Sequence, residues 1–154
     1  MNTTYNRYVT KKLKINHGRK ISMDFSSLVL MEKDKETGFI TKELGSFTVS
    51  DGAVYVKKLF VLDNTVNLYF DTNKDVEEWE YSAIYDVFNY NIFEENDFSI
   101  EDCLDEFNPT FLVKFKYDEK YEIVKGKLDK CVSLIEESME AVFKDIEGKE
   151  AEYI

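Results

Sequence analysis

Hydrophobic residues recur along the chain with two different periods, and the change between them falls near Asp71. In residues 66–70 valine, leucine and phenylalanine stand at every second position, which is the period of a strand with one buried face. From Val76 onward they recur at steps of three and four, which is the period of an amphipathic helix. This helical stripe consists of Val76, Trp79, Ala83, Ile84, Val87 and Phe88. The segment 66–88 is therefore predicted to be a strand, a polar turn and a packed helix, with Trp79 largely buried.

The polar turn carries signals for the start of that helix. Thr72 with Asp75, or Asp75 with Glu78, has the three-residue spacing of a capping box, in which side chains bond to the free amides of the first helical turn. Acidic residues at this end also interact favourably with the helix dipole. Both alternatives predict that the helix begins immediately after the turn.

Upstream of the turn, the alternation predicts a four-strand antiparallel meander. The strands are expected at residues 26–32, 39–49, 53–62 and 66–70. Asp51-Gly52 is suited to a type I′ hairpin turn between the second and third strands, and Asp63-Asn64 offers another tight turn. Both faces of the third strand are partly apolar. We therefore expect helices to cover one face of the sheet and something else to shield the other.

Downstream of the turn, the pattern predicts two more helices and a fifth strand. Ser99 and Asp102 have the capping spacing, and a short apolar face follows at Ile100, Cys103, Leu104 and Phe107. Residues 110–117 alternate as a strand, and residues 122–145 keep a helical stripe for about six turns. That stripe consists of Val124, Leu128, Cys131, Ile135, Met139, Val142 and Ile146. The predicted fold class is α+β: an antiparallel meander of four to five strands, packed by an amphipathic central helix and a long C-terminal helix.

Composition favours a single domain, because 44% of the residues are hydrophobic and only one proline and six glycines occur in 154 residues. We predict a domain over residues 23–147, a basic arm or extension at 1–22 and a flexible tail at 148–154. Within the arm, residues 12–15 and 19–23 either pair as a hairpin or form a solvated segment. A third alternative is that translation starts at Met23, where the patterned sequence begins.

The charge of −11 is unevenly distributed. Residues 1–23 contribute +6, which leaves −17 for the remaining 131 residues. Such a surface repels phosphate backbones, so the main body is not expected to bind nucleic acid directly. It favours either solubility alone or a basic protein as the partner.

Cysteine usage and hydropathy predict a cytoplasmic protein. Cys103 and Cys131 are isolated, without the spacing of a metal or redox motif. The N-terminus has no apolar signal segment, and no run approaches 18 apolar residues. We therefore expect reduced thiols and no membrane association.

Two blocks of the sequence, residues 23–45 and 68–86, resemble a small family of uncharacterised proteins from clostridial bacteria. The first block begins MDFSSLVLMEKDK and the second LYFDTNKDVEEW. The resemblance implies a bacterial protein of unknown function in which residues 1–22 are an extension. It provides no catalytic signature and no site residue.

A metal candidate lies in the polar turn, where Asp71, Asn73 and Asp75 give the DxNxD opening of a calcium loop. The rest of the EF-hand pattern is missing, because its sixth position is Val76 rather than glycine and its twelfth is Ser82 rather than glutamate. Capping of the helix explains the same spacing. We predict no calcium binding at physiological concentration.

Signals for enzymatic chemistry are weak, and we assign no catalytic residue and no cofactor. His17 is the only histidine and lies in the basic arm, while both cysteines fall on apolar helix faces. No glycine-rich phosphate loop and no GxSxG motif occurs. Carboxylate pairs such as Glu77/Glu80 and Asp102/Asp105 are expected by chance on solvated helices. A non-enzymatic protein is favoured, with an enzyme that uses a carboxylate pair as a further alternative.

An acidic run is the candidate interaction site. It consists of Glu94, Glu95, Asp97, Glu101, Asp102 and Asp105, followed by Glu106. The run predicts either a solvated face or a surface that binds a basic protein. We expect a protein-interaction or regulatory module, and the alternative is an inhibitor that mimics nucleic acid with a contiguous acidic strip.

The broad stripe of the C-terminal helix also suggests a weak homodimer. The sheet alone, or the sheet together with a second copy of the chain, would cover such a stripe. Two bodies of −11 repel each other most at low salt, so association is expected to strengthen as salt rises.

Overall fold

The chain forms a β-sheet with helices packed on it. The computed structural model describes the backbone of residues 9–16 and 22–154 and the side chains from residue 26 onward. The strands in this part of the chain are β1 (Val9–Asn16), β2 (Ser22–Lys33), β3 (Ile40–Val49), β4 (Val56–Leu62), β5 (Thr65–Asp71), β6 (Ser99–Cys103) and β7 (Thr110–Lys116). The helices are α1 (Glu78–Val87), α2 (Asn91–Glu94) and α3 (Tyr121–Ile146), with 3-10 turns at Asp51–Tyr55 and Glu150–Glu152. The predicted α+β class with a central and a long C-terminal helix is confirmed.

Strand β2 organises the sheet because it pairs along both of its edges. The hydrogen-bonded order is β1-β2-β4-β5-β7-β6, and β3 pairs with the other edge of β2. The antiparallel pairing of β1 places Asn16 opposite Ser22, so the N-terminal segment takes the hairpin alternative. The connection at residues 17–21, which includes His17, lies outside the described residues.

The connection from β3 to β4 differs from the predicted meander. Asp51-Gly52 does not form a hairpin, because Asp51–Tyr55 is a 3-10 turn and β3 and β4 lie on opposite edges of β2. Strand β4 instead pairs with β2 in parallel, with Phe60 opposite Met31. The turn brings Gly52 against α3, where tertiary packing prevails over the local turn propensity. The second predicted turn is confirmed, since Asp63 and Asn64 both have positive φ angles and join β4 to β5.

Helix α3 covers the core face of the sheet. Every member of its predicted apolar stripe is buried, with at most 2% of each residue exposed. The helix packs on α1, on β3 and on the 3-10 turn after β3. It also caps an edge, because Tyr121 and Lys125 donate to the carbonyls of Ser46 and Thr48 on β3.

Aromatic side chains fill the space between the sheet and the first two helices. The Phe111 ring of β7 lies 4.1 Å from the Phe88 ring and 5.1 Å from the Phe70 ring. Phe93 of α2 stacks on the same group, with its centroid 6.0 Å from that of Phe70. All four rings are buried, so this cluster holds α1 and α2 against β5 and β7.

The opposite face of the sheet is shielded by lysine side chains. The Lys33 ammonium lies 4.0 Å from the centroid of the Phe60 ring, and the Lys58 ammonium lies 5.2 Å from that of Tyr69. Long aliphatic stems cover the rings while the charges remain near water. This explains why both faces of the third predicted strand are partly apolar.

Helix α1 begins later than either predicted cap. Thr72 and Asp75 form other hydrogen bonds. The capping box forms instead at Glu77, two residues after Asp75, where the Glu80 carboxylate accepts the Glu77 N–H at 2.8 Å. Trp79 is mostly buried, as predicted, although not fully, and its ring centroid lies 6.5 Å from that of Tyr153. Its truncation is therefore expected to cost less than the ~3–5 kcal/mol of a fully buried tryptophan.

The segment after α2 is a strand where a helix was predicted. Strand β6 pairs with β7 along its whole length, and only Ile100 and Cys103 face inward in part. The capping spacing of Ser99 and Asp102 is therefore incidental, because hydrogen bonds to a strand distant in sequence fix this segment. Leu104 and Phe107 consequently belong to a loop and not to a helix face.

Candidate functional site

The loop between β6 and β7, residues 104–109, presents two large apolar side chains to solvent. Leu104 is 64% exposed and Phe107 is 78% exposed. Asp105 and Glu106 stand between them and are also exposed. We call residues 104–109 the acidic loop. Binding residues are disproportionately found on loops that a rigid scaffold positions, and neighbouring exposed apolar side chains can form part of such a surface.

Two tyrosines of α1 hold the acidic loop in place. The Tyr81 hydroxyl lies 3.0 Å from the carbonyl oxygen of Leu104 and 3.2 Å from that of Glu106. One turn later, Tyr85 accepts the Thr110 N–H at 2.8 Å and donates toward the Cys103 carbonyl. Burial raises the pKa of Tyr85 well above its ordinary value, so this hydroxyl keeps its proton and remains a donor.

The other end of the acidic loop is tied to the turn before α1. The Asn108 side chain accepts the Val76 N–H at 3.3 Å and donates to the Asp75 carboxylate at 3.1 Å. Pro109 is buried next to it. The loop is therefore fixed at its middle and at both ends, while Leu104 and Phe107 are left out of the core.

The six predicted interaction residues are all exposed, and the structure divides them into two groups. Asp102 and Asp105 lie at the acidic loop, where Asp102 also accepts a hydrogen bond from Tyr90. Burial, together with that carboxylate, raises the pKa of Tyr90. The second group, Glu94, Glu95 and Asp97, lies at the other end of β6.

Glu101 connects the two groups along β6 but is balanced by a cation. Its carboxylate lies 3.9 Å from the Lys114 ammonium on the neighbouring strand. Beyond it, Glu95 and Asp97 line a groove that also contains three lysines. The negative charge of the run is thus interrupted by positive side chains.

A lysine side chain lies beside two of the three residues of the metal candidate. The Lys57 ammonium donates to Asn73 Oδ1 at 2.7 Å and lies 3.9 Å from Asp71 Oδ1. Asp71 also accepts the Asn73 N–H, whereas Asp75 turns away to Asn108. The three predicted ligands therefore do not converge, and an ammonium group lies beside two of them. The absence of calcium binding stays a prediction.

Burial shifts both charged groups of this pair toward their neutral forms. It raises the pKa of Asp71, although the Asn73 amide and Lys57 act in the opposite direction. It also lowers the pKa of Lys57, against the attraction of Asp71. Perturbed pairs of this kind are common at functional sites. The adjoining cavity measures only about 10 Å³, which leaves space for roughly one water molecule.

The other residues that the sequence suggested for chemistry have structural roles. Glu77 and Glu80 form the capping box of α1. Burial raises the pKa of both cysteine thiols, and Cys131 is fully buried in α3. Where side chains are described, no three His, Cys, Asp or Glu residues converge in a way that would hold a metal ion.

Sequence reasoning missed Lys57, Tyr81 and Tyr85. The two tyrosines could have been found from the sequence, because residues four apart on a helix share a face. In the structure their ring centroids lie 5.3 Å apart. Lys57 carried none, because its partner Asp71 comes from a different strand.

These contacts define an α+β domain that combines a fixed acidic loop with a largely buried lysine–aspartate pair. The chain belongs to DUF6762, a family of unknown function whose model matches residues 23–154. This confirms the family resemblance of residues 23–45 and 68–86. No significant match was found among curated proteins or solved structures. No helix in the described part of the chain is both long enough and apolar enough to cross a membrane.

Proposed function

We propose that this protein is an interaction module that binds a partner protein through the acidic loop. The observation that carries the proposal is the exposure of Leu104 and Phe107 on a loop whose backbone is already fixed. Single exposed apolar side chains are common on protein surfaces, whereas here two occur within four residues of one fixed loop.

The energetics of the loop support binding. Burial of one such side chain contributes about 1.5–3 kcal/mol. Binding usually also costs free energy because loops and side chains must be ordered. Here Tyr81, Tyr85 and Asn108 order the loop beforehand, so that cost is small.

The charges around the loop indicate the chemistry of the partner. Asp102 precedes the two apolar side chains, Asp105 stands between them, and both carboxylates are exposed. We infer a partner with an apolar pocket that receives Phe107 and a rim of lysine or arginine. The pocket would supply the affinity, and the opposite charges would speed the encounter and orient the two proteins.

This hypothesis is favoured over the two alternatives. A mimic of nucleic acid needs a continuous acidic strip, whereas Lys114 lies 3.9 Å from Glu101. A carboxylate-pair enzyme needs a cleft, whereas Glu77 and Glu80 are engaged in capping α1. A cytoplasmic setting fits the proposal, since Cys103 and Cys131 are both free thiols.

The test is a comparative capture from an extract of the source cells with the immobilised full-length chain. The informative variant is Leu104→Ser with Phe107→Ser, and the matched control is Phe39→Ser, which alters a 73% exposed phenylalanine on the β2–β3 connection. We expect the wild type and the control to retain the same partner and the double variant to lose it. Equal thermal melts would show that all three proteins fold.

Two results would contradict the proposal. One is capture of the same proteins by all three chains, and the other is loss of binding in the Phe39→Ser control as well. A competition with double-stranded DNA separates mimicry from the proposed mode, because a mimic is displaced by DNA and does not depend on Phe107.

A further inference from the structure

A second surface lies at the far end of β6, beside the first half of α3. It is a groove of about 690 Å³. Phe98 and Phe115 form its apolar floor, together with the 39% exposed Ile123. We call it the α3 groove. Its charged lining consists of the acids Glu95, Asp97 and Glu122 and the lysines Lys116, Lys127 and Lys130.

Gly126 lies in the α3 groove, in the interior of a 26-residue helix. Glycine weakens such a position by about 1 kcal/mol relative to alanine. Packing within the protein does not require it, because a Cβ atom added there would meet nothing within 4 Å. A glycine of this kind allows the backbone of another molecule to approach closely.

The charges on either side of Gly126 are complementary to those of a second α3 helix that runs in the opposite direction. Glu122 precedes the glycine by four residues and Lys130 follows it by four, so all three share one face of α3. In an antiparallel two-fold crossing centred on Gly126, Glu122 of each copy faces Lys130 of the other. A face of this kind is complementary to itself.

We propose that the α3 groove receives a second copy of this chain, with the two α3 helices crossing antiparallel at Gly126. The crossing forms two equivalent Glu122–Lys130 ion pairs and covers Ile123. It also brings the lysines of one copy near Glu95 and Asp97 of the other. This interface is separate from the acidic loop, so it does not depend on the proposed partner protein.

Sedimentation equilibrium of the full-length chain tests the proposal at micromolar concentration and physiological salt. The wild type is expected to show a concentration-dependent dimer. Gly126→Gln places a side chain at the crossing point and is expected to weaken association at least about tenfold, while the fold remains intact because that space is open. Equal or higher thermal stability of this variant at low concentration would exclude misfolding.

Charge reversal provides the sharper test. Glu122→Lys or Lys130→Glu alone sets like charges opposite each other and is expected to weaken association by roughly tenfold. The two changes together restore opposite charges and are expected to return association to within about twofold of the wild type. The matched control is the double reversal Glu140→Lys with Lys144→Glu, an exposed pair on α3 outside the groove, which is expected to have no effect.

Any of three results would overturn the proposal. The first is a monomer at every concentration. The second is unchanged association in Gly126→Gln. The third is a double reversal at residues 122 and 130 that associates no better than either single variant.

Discussion

Lys57 carries an ammonium group into a nearly closed part of the molecule. Its side chain is 13% exposed and that of Asp71 is 11% exposed. The opposite shifts in their pKa values show that burial outweighs the attraction between the two charges. What keeps the lysine charged is a set of short contacts, since it also donates to Asn73 and to the Val54 carbonyl.

Removal of one member of this pair is expected to cost more than removal of both. Lys57→Met leaves Asp71 without its cation and is expected to lower the free energy of unfolding by about 2 kcal/mol. Lys57→Met combined with Asp71→Asn leaves no buried charge and retains an acceptor for the Asn73 N–H, so much of that loss is expected to be recovered. Urea unfolding of the wild type, both single variants and the double variant measures the coupling. Additivity within about 0.3 kcal/mol would show that the pair is not coupled.

The raised pKa of Asp71 predicts a definite pH dependence. The folded protein holds this proton to a higher pH than the unfolded chain, in which the ordinary value is 3.8. The contribution of Asp71 to stability is therefore greatest below pH 3.8 and is lost as pH rises through the folded pKa. The Asp71→Asn variant has no carboxyl group to titrate at this position and does not lose this stability. Its free energy of unfolding relative to the wild type is therefore expected to increase as pH rises from 3.8 through the folded pKa of Asp71. A difference in unfolding free energy between the variant and the wild type that stays constant with pH would contradict the raised pKa of Asp71.

Single residues were predictable where local periodicity determines their surroundings. The stripe of α3 repeats for about six turns, so burial of Leu128 or Ile135 follows from the sequence. The surroundings of Trp79 do not follow, because they depend on how Tyr153 folds back from the end of the chain. The contact of Lys57 with Asn73 joins residues 16 positions apart and leaves no periodic trace in the sequence.

Two glycines show how helix α3 is positioned against the rest of the molecule. A Cβ atom on Gly52 would lie 2.4 Å from the Val132 carbonyl oxygen of α3, so the 3-10 turn approaches the helix backbone only because it lacks a side chain there. On Gly126 the same atom would meet nothing.

Alanine at the two positions is therefore expected to act in opposite directions. Gly52→Ala forces the turn and α3 apart and is expected to destabilise the fold by about 1–3 kcal/mol. Gly126→Ala is expected to stabilise it by about 0.8 kcal/mol, from helix propensity alone. Thermal and urea unfolding at low protein concentration compare them. Destabilisation of similar size by both substitutions would contradict the close approach at Gly52.

The C-terminal 3-10 turn is expected to dock on α1 in solution. Trp79 is the only tryptophan, so its fluorescence reports directly on the ring of Tyr153 packed against it. Tyr153→Ala is expected to move the emission to longer wavelength and to increase quenching by iodide. Ile154→Ala, which changes an 88% exposed residue, is the control and is expected to have no effect. Identical spectra for the wild type and Tyr153→Ala would show that the turn does not dock.

At the scale of elements, the sequence specified helices better than strand pairing. Helix α3 was predicted to within a residue at each end, because its signal is periodic and local. The parallel pairing of β2 with β4 was not predictable, since the 3-10 turn between β3 and β4 depends on contact with α3. The prediction of a helix at β6 failed because that strand is fixed by pairing with another one. Its partner β7 begins seven residues after β6 ends, and nothing in the sequence of β6 itself indicates this pairing.

For the whole molecule, the two proposed surfaces occupy opposite ends of β6. The five residues of this strand span roughly 17 Å, so a protein bound at the acidic loop leaves the α3 groove accessible. Dimerisation would then present two acidic loops at once, and a partner with repeated sites would bind with higher avidity.

Salt is expected to strengthen the dimer, although ion pairs cross its interface. Two bodies of −11 whose centres lie roughly 30 Å apart repel each other by about 17 kcal/mol in water without salt. Screening reduces this to about 6 kcal/mol at 10 mM salt and to less than about 1 kcal/mol at 150 mM. Two exposed ion pairs contribute only about 0.2–1 kcal/mol each, so relief of the repulsion dominates.

Sedimentation equilibrium is therefore expected to show a dissociation constant at least about tenfold lower at 150 mM than at 10 mM. The double reversal at residues 122 and 130 keeps the net charge and is expected to follow the same trend. Association that weakens as salt rises would show that the local pairs dominate, and a mass of 18.1 kDa at every salt level would rule out the dimer.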